Sequence, residues 1–169
     1  CVTLVSTVDL PAPSGVRVVS VETAAEMQSA LEAIWSTTDV LVMAAAVADF
    51  RPVSCATGKI KKEAGVPSIL LEPTPDILCA LGAHKRPGQT IVGFAAETSD
   101  LVANAESKLR RKNLDMIVAN DVSQPGVGFQ HDTNAVTFLR PGQALESVAL
   151  TDKRAVAREL IDRVVVARA

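Results

Sequence analysis

A chain of 169 residues with 48% hydrophobic and 21% charged residues is long enough for one domain and too apolar to remain disordered. Its net charge of −2 supplies no global field for nucleic acid or an anionic membrane, so an anion site must come from local lysine and arginine. Aromatics are 3% with no Tyr, which leaves the core to Val, Leu, Ile and Ala.

"VTLVS" (2–6) and "VRVVSV" (16–21) are Val-rich runs that read as strands, separated by "PAPSG", a turn by composition. "TAAEMQSALEAIW" opens with Thr23 and Glu26 at capping-box spacing and repeats apolar residues at Met27, Ala30, Leu31 and Ile34, which predicts a helix. "DVLVMAAAV" (39–47) is apolar on both faces, as a central parallel strand would be. "TPDILCALGAH" predicts a helix capped by Thr74 with Pro75 at its first position.

"TIVGFAAE" (90–97) is a strand, "DLVANAESKLRRKN" (100–113) a helix and "DMIVAND" (115–121) a buried strand. "AVTFL" (135–139) and "ESVAL" (146–150) form a terminal hairpin around "RPGQA", and a closing helix runs from about Asp152 to Ala167. The alternation predicts an α/β fold, doubly wound and Rossmann-like, with a mostly parallel central sheet flanked by helices, in one domain over 1–169.

Cys1, Cys55 and Cys79 form no CxxC pair, and His84 and His131 stand alone, so zinc is not expected and the thiols read as reduced in a cytoplasmic protein. No signal peptide is read, and no apolar run reaches the roughly 18 residues of a membrane span.

Ligands of such sheets bind beyond the carboxyl ends of the strands. Three segments therefore draw attention: Asp49 to Lys62, "AAETSD" after the 90–95 strand, and "NDVSQPGVGF" after the 115–119 strand. They are expected to converge on one crevice. Lys59, Lys61 and Lys62 are either a solvated loop cluster or part of a lid that shields a reaction from water. Lys108 and Lys112 share one helix face, where they either complement the helix dipole or clamp a polyphosphate; spacing alone favours the dipole. Asp49 ends the predicted strand and needs a partner, which Arg51, Mg²⁺ or a ribose hydroxyl could supply. Phe94 follows a close-approach Gly93 and is either core or a base-stacking platform. "PGVGF" (125–129) is neither GxGxxG nor a P-loop. These residues imply an anionic ligand without naming the reaction.

The ordered set "AAAVADFRP", "GKIKK", "TPDIL", "VGFAAET", "KLRRKNLDMIVANDVSQPGVGF" and "DTNAV" resembles the phosphopantothenoylcysteine synthetase (phosphopantothenate–cysteine ligase) domain of the bacterial bifunctional coenzyme A biosynthesis flavoprotein. The resemblance covers essentially the whole chain. It implies a Rossmann-like fold with a flap loop and a C-terminal hairpin, CTP as co-substrate with Mg²⁺, and a homodimer. The substrates it implies are 4′-phosphopantothenate and L-cysteine, joined through an acyl-cytidylate. FMN enters only if a phosphopantothenoylcysteine decarboxylase domain is attached upstream.

By the same resemblance Ala45 lies at a cytidine-contacting strand end, and Asp49 is a CTP-binding acid with the metal nearby. Lys59 is the flap lysine of nucleotidyl transfer, and Thr74, Pro75, Asp76 and Ile77 form a nucleotide-contacting turn. Phe94 lies at the CTP site, and Lys108 and Lys112 lie at the triphosphate, which reverses the reading from spacing. The family's first strand, its Gly-rich turn and an Asn-bearing segment have no counterpart before Cys1, and "VSTVDL" stands where a "VSGPV"-like turn is usual, so the domain is expected to lack its N-terminal part. Two other classes fit the residues: a non-catalytic nucleotide-binding or dimerisation fragment, and a Rossmann-type dinucleotide-binding oxidoreductase.

Overall fold

The computed structural model describes residues 1–9, 11–62, 65–97, 100–123, 126–127 and 131–168. They form two compact units, each assembled from separate stretches of chain: Cys1–Ile34 with Ala46–Ile77, and Trp35–Ala45 with Leu78–Ala169.

In the first unit, β1 (Val2–Ser6) and β2 (Val16–Ser20) pair in parallel from Val2↔Val16 to Ser6↔Ser20. The N–H of Val21 donates to the Ser6 carbonyl and extends the ladder. α1 (Ala24–Trp35) starts as its capping box predicts. The Glu26 N–H donates to Thr23 Oγ1 at 3.2 Å, and Glu26 Oε2 accepts the N–H of Thr23 at 3.0 Å and of Glu22 at 2.7 Å. Met27 and Leu31, four residues apart, form its buried face.

Two short strands that no sequence pattern announced complete this unit. β4 (Phe50–Pro52) and β5 (Leu71–Pro73) pair antiparallel, with Phe50 opposite Pro73 and Pro52 opposite Leu71. Val53 donates to Leu70 and Thr74 to Asp49, so the ladder runs one residue further at each end. Residues 53–62 lie on the loop that this strap closes, and every one of them is exposed.

The second unit is built on the five-stranded sheet β3-β6-β7-β8-β9. Its strands are β3 (Val40–Met43), β6 (Thr90–Glu97), β7 (Met116–Asp121), β8 (Thr133–Leu139) and β9 (Glu146–Asp152). β3, β6 and β7 run parallel, and β8 and β9 add an antiparallel hairpin. The expected α/β class holds, with its C-terminal hairpin. The strand predicted over 39–47 is shorter and lies at one end of this sheet. It stops at Met43, and Ala44 to Ala46 are exposed, because Ala carries too little apolar surface to require burial on both faces.

One face of this sheet packs against α4 (Lys153–Arg168) through Val92, Met116, Val118, Val136, Phe138, Val156, Leu160 and Val164. Arg163 stacks over the Phe138 ring at 4.4 Å and donates from Nε to Glu146 Oε2 at 3.0 Å, while Arg140 pairs with the other oxygen of Glu146. One carboxylate thus ties β8, β9 and α4 together.

α2 (Ile77–Ala83) begins later than predicted. Thr74 does not cap it: its hydroxyl donates to the Ala48 carbonyl and its N–H to Asp49, so both groups are committed to the strap. α3 (Leu101–Arg111) ends as a Schellman motif. Asn113 adopts a left-handed conformation with φ 52° and donates to Arg110, and Leu114 donates to Leu109. Leu109 and Leu114 are both buried, which supplies the hydrophobic contact that such an end requires.

Candidate functional site

The carboxyl ends of β6 and β7 in the second unit carry Glu97 and Asp121 and receive Lys108, one of the charged residues that the sequence points to. β6 is buried from Thr90 to Gly93 and then opens: Phe94 is half-buried, Ala96 exposed and Glu97 half-buried. The register sets Glu97 opposite Asp121, so two carboxylates end adjacent parallel strands on the same face. Asp121 Oδ1 accepts the N–H and the hydroxyl of Ser123 at 3.0 and 2.6 Å. Glu97 receives Lys108 instead, with Nζ donating to Oε1 at 2.6 Å, while Asn104 Nδ2 donates to Oε2 at 3.2 Å. Asn104 and Lys108 are four residues apart on α3, so one helix face delivers both donors.

Lys112 is not on the helix with Lys108 but at its C-cap, with φ −97° and ψ 5°. Its place is set by contact with α2. A Cβ on Gly82 would stand 2.0 Å from the Lys112 carbonyl oxygen, so only glycine allows α2 to approach there. Asn113 Nδ2 also donates to the Gly82 carbonyl at 2.9 Å. Gly93 is a close-approach residue as read, since a Cβ would meet Leu114 Cδ1 at 2.9 Å and Leu78 Cδ1 at 3.2 Å.

Phe94 packs on the α4 side, against the cluster of Val92, Val118 and Phe138, and keeps part of its surface exposed. Ala45 is exposed just beyond the end of β3. Asn120, the other polar residue ending β7, is buried at 7% exposure.

The remaining predicted residues belong to the first unit. Asp49 does not end a buried strand; it lies beyond β3, immediately before β4, and is exposed. Its expected partner Arg51 is engaged elsewhere, with Nε 2.8 Å from Glu72 Oε1 across the strap. A solvated carboxylate needs no counter-ion, and Asp49 makes no side-chain hydrogen bond or ion pair among the described residues. The backbone bond from Thr74 to Asp49 brings the turn of Thr74 to Ile77 beside that acid. Lys59 is exposed and makes no ion pair among the described residues. The segments "AAETSD" and "PGVGF" fall partly outside the described residues, at 98–99, 125 and 128–129, so convergence of the three loops is not described.

Sequence reasoning did not single out Glu97 and Asn104. The available signal was a lone acid closing a strand that is otherwise apolar or small, followed by a helix with polar residues four apart. No group of three His, Cys, Asp or Glu side chains suited to a resident metal occurs among the described residues. The geometry offers an ammonium held at a sheet edge, a second cation at a helix end, and exposed Asp49 and Lys59 on the strap and its loop.

Over residues 1–167 the chain matches the family described as the DNA/pantothenate metabolism flavoprotein C-terminal domain. It is 45% identical over 160 residues to the coenzyme A biosynthesis bifunctional protein CoaBC of Vibrio cholerae, a match covering 92% of this chain and 40% of that protein. It is 42% identical over 154 residues to a cysteine/cysteine sulfinic acid decarboxylase of an unknown prokaryotic organism, covering 91% of this chain and 43% of that protein. The crystal structure of the C-terminal domain of CoaBC superposes with a TM-score of 0.78 at 37% identity, covering 96% of this chain and 71% of that one. The chain thus spans about two fifths of the length of these curated relatives.

Proposed function

The chain belongs to the DNA/pantothenate metabolism flavoprotein C-terminal domain family, and on that premise we propose that it is the CTP-dependent phosphopantothenate–cysteine ligase part of a coenzyme A biosynthesis enzyme. The observation that carries this reading is the likeness to the CoaBC C-terminal domain in both sequence and fold over nearly the whole chain. The family match is to a C-terminal domain, so the decarboxylation for which the second relative is named is not assigned to these residues. FMN would enter only if a decarboxylase domain is attached upstream. A homodimer and a cytoplasmic setting belong to the same reading, and no helix of the described residues is long and apolar enough to cross a membrane.

A carboxylate does not condense with an amine at neutral pH until it carries a leaving group. The carboxylate of 4′-phosphopantothenate attacks the α-phosphorus of CTP, the α–β anhydride bond breaks, and pyrophosphate leaves. The amine of L-cysteine then attacks the acyl carbon of the acyl-cytidylate, CMP leaves with the electrons of the C–O bond, and the amine proton passes to solvent. In this scheme Lys108 and Lys112 face the triphosphate, and Lys59 offsets charge that develops on the transferring phosphate. By the resemblance, Ala45 and Phe94 are assigned to the cytidine, and Asp49 and the turn of Thr74, Pro75, Asp76 and Ile77 to nucleotide binding.

Mg²⁺, bound through the triphosphate, would neutralise the phosphate oxygens. Asp49, an exposed carboxylate with no side-chain hydrogen bond or ion pair among the described residues, fits such a metal, as suits an ion that keeps most of its waters.

The test is to titrate the full-length protein with CTP, ATP and NADPH, with and without Mg²⁺. With 4′-phosphopantothenate present, CTP and Mg²⁺ together should release pyrophosphate, and CMP should follow only after L-cysteine is added. Preference for ATP would overturn the nucleotide assignment. Binding of NADPH without pyrophosphate release would favour the oxidoreductase class instead.

A further inference from the structure

Glu97 has no part in the displacement scheme, yet it is more shielded than the lysine it holds at the second unit's ligand edge. Its side chain is 13% exposed, against 37% for Lys108. Its backbone is anchored, because it closes β6 in register with Asp121 and its carbonyl accepts the Val122 N–H at 3.0 Å. Its two oxygens are both engaged by α3, one by Lys108 at 2.6 Å and one by Asn104 at 3.2 Å.

We propose that Glu97 is the positioning residue for Lys108, fixing the ammonium at the carboxyl end of β6 before a triphosphate arrives. This rests on the ligase reading above for the identity of the triphosphate, but not for the placement itself. A lysine stem has four rotatable carbons and would otherwise sample positions away from the transferring phosphate even with the nucleotide bound. An ammonium has three donors. Glu97 takes one and leaves two for phosphate oxygens, so holding the lysine and using it are compatible. Glu97 also sets a negative charge near the phosphates, which weakens ground-state binding while it improves alignment. A residue with only a structural role would show neither effect.

The full-length protein carrying Glu97→Ala should therefore release pyrophosphate about 10- to 100-fold more slowly, as expected for a misplaced charge. Its dissociation constant for CTP should stay the same or fall. Glu97→Gln keeps the length and an acceptor and should recover much of the rate; it also serves if the Ala variant fails to fold. In a Lys108→Ala background, Glu97→Ala should cost nothing more, because its effect runs through that lysine. Rate losses that multiply independently, or CTP affinity that falls in parallel with rate, overturn the proposal.

A second readout does not need activity. The Lys108 ammonium should give a slowly exchanging nitrogen–proton signal in wild type that Glu97→Ala abolishes. If wild type releases no pyrophosphate from CTP, the ligase reading fails while this signal still decides the positioning. If the signal persists in the Ala variant, the positioning fails even in an active ligase.

Discussion

Lys59 and Lys108 are both predicted phosphate ligands, but they differ in how they are held. Lys108 is paired with a shielded carboxylate, so its removal leaves Glu97 without its cation and costs stability as well as function. Lys59 is exposed on the strap loop with no ion pair among the described residues, so its removal disturbs nothing that folds the chain. Lys59→Gln keeps a comparable reach and a hydrogen-bond donor while losing the charge. If that charge acts on the transition state, pyrophosphate release should slow by about 100-fold or more, while CTP affinity changes little. Single-turnover measurements separate the two quantities, and a wild-type rate of acyl-cytidylate formation would reduce Lys59 to a solvated loop residue.

At the level of elements, caps and ladders decide where the chain turns. The start of α1 is stabilised by Glu26, whose carboxyl is held below the ordinary carboxylate range, first by the Glu22 N–H and then by the Thr23 N–H. The folded value lies below the unfolded one, which is about 4.3. The contribution is therefore complete above that unfolded value and is lost as pH falls through the folded value. Melting curves of wild type and Glu26→Gln should differ at neutral pH, and the difference should close in acid as pH falls through the folded value. A difference that persists unchanged in acid would mean that the charge of Glu26 does not contribute. Glu146 is held below the ordinary range in the same sense, chiefly by Arg140, and adds its own acid sensitivity to the link between β8, β9 and α4; the paired comparison at Glu26 cancels that background.

Across the whole molecule, burial is unevenly shared. Ile91, Val92, Ile117 and Val118 are at most 1% exposed, whereas Phe50 and Leu71 in the strap are more than half exposed. Regions with few buried apolar groups open locally, and fully buried strands exchange only when the core comes apart. Amide hydrogen exchange of the full-length protein should therefore find β6 and β7 in the slowest class and β4 and β5 far faster. Equal protection of the strap and the central strands would show that the two units open as one. Each unit draws on two stretches of chain, so neither corresponds to a continuous segment that could simply be excised.

The class of the fold, the capping box, the span of β6 and the terminal hairpin were all legible in the sequence. Each rests on a pattern that repeats over a few neighbouring residues: apolar runs, helical spacing, a Thr and Glu three apart. The resemblance carried in those motifs also pointed to the family that the whole-chain match established. What the sequence could not decide is which distant groups meet. β4 and β5 are too short to show alternation, and they exist because a ladder closes across residues 53–70. The early start read for α2 failed because Thr74, a good cap by type, spends its hydroxyl and N–H on Ala48 and Asp49. Spacing put Lys108 and Lys112 on one helix, but the Schellman end stops α3 at Arg111 and leaves Lys112 at its C-cap against Gly82. Glu97 acquired its cation only when β6 and α3 packed together, because local patterns act between near neighbours and a shielded ion pair is made by the elements that bury it.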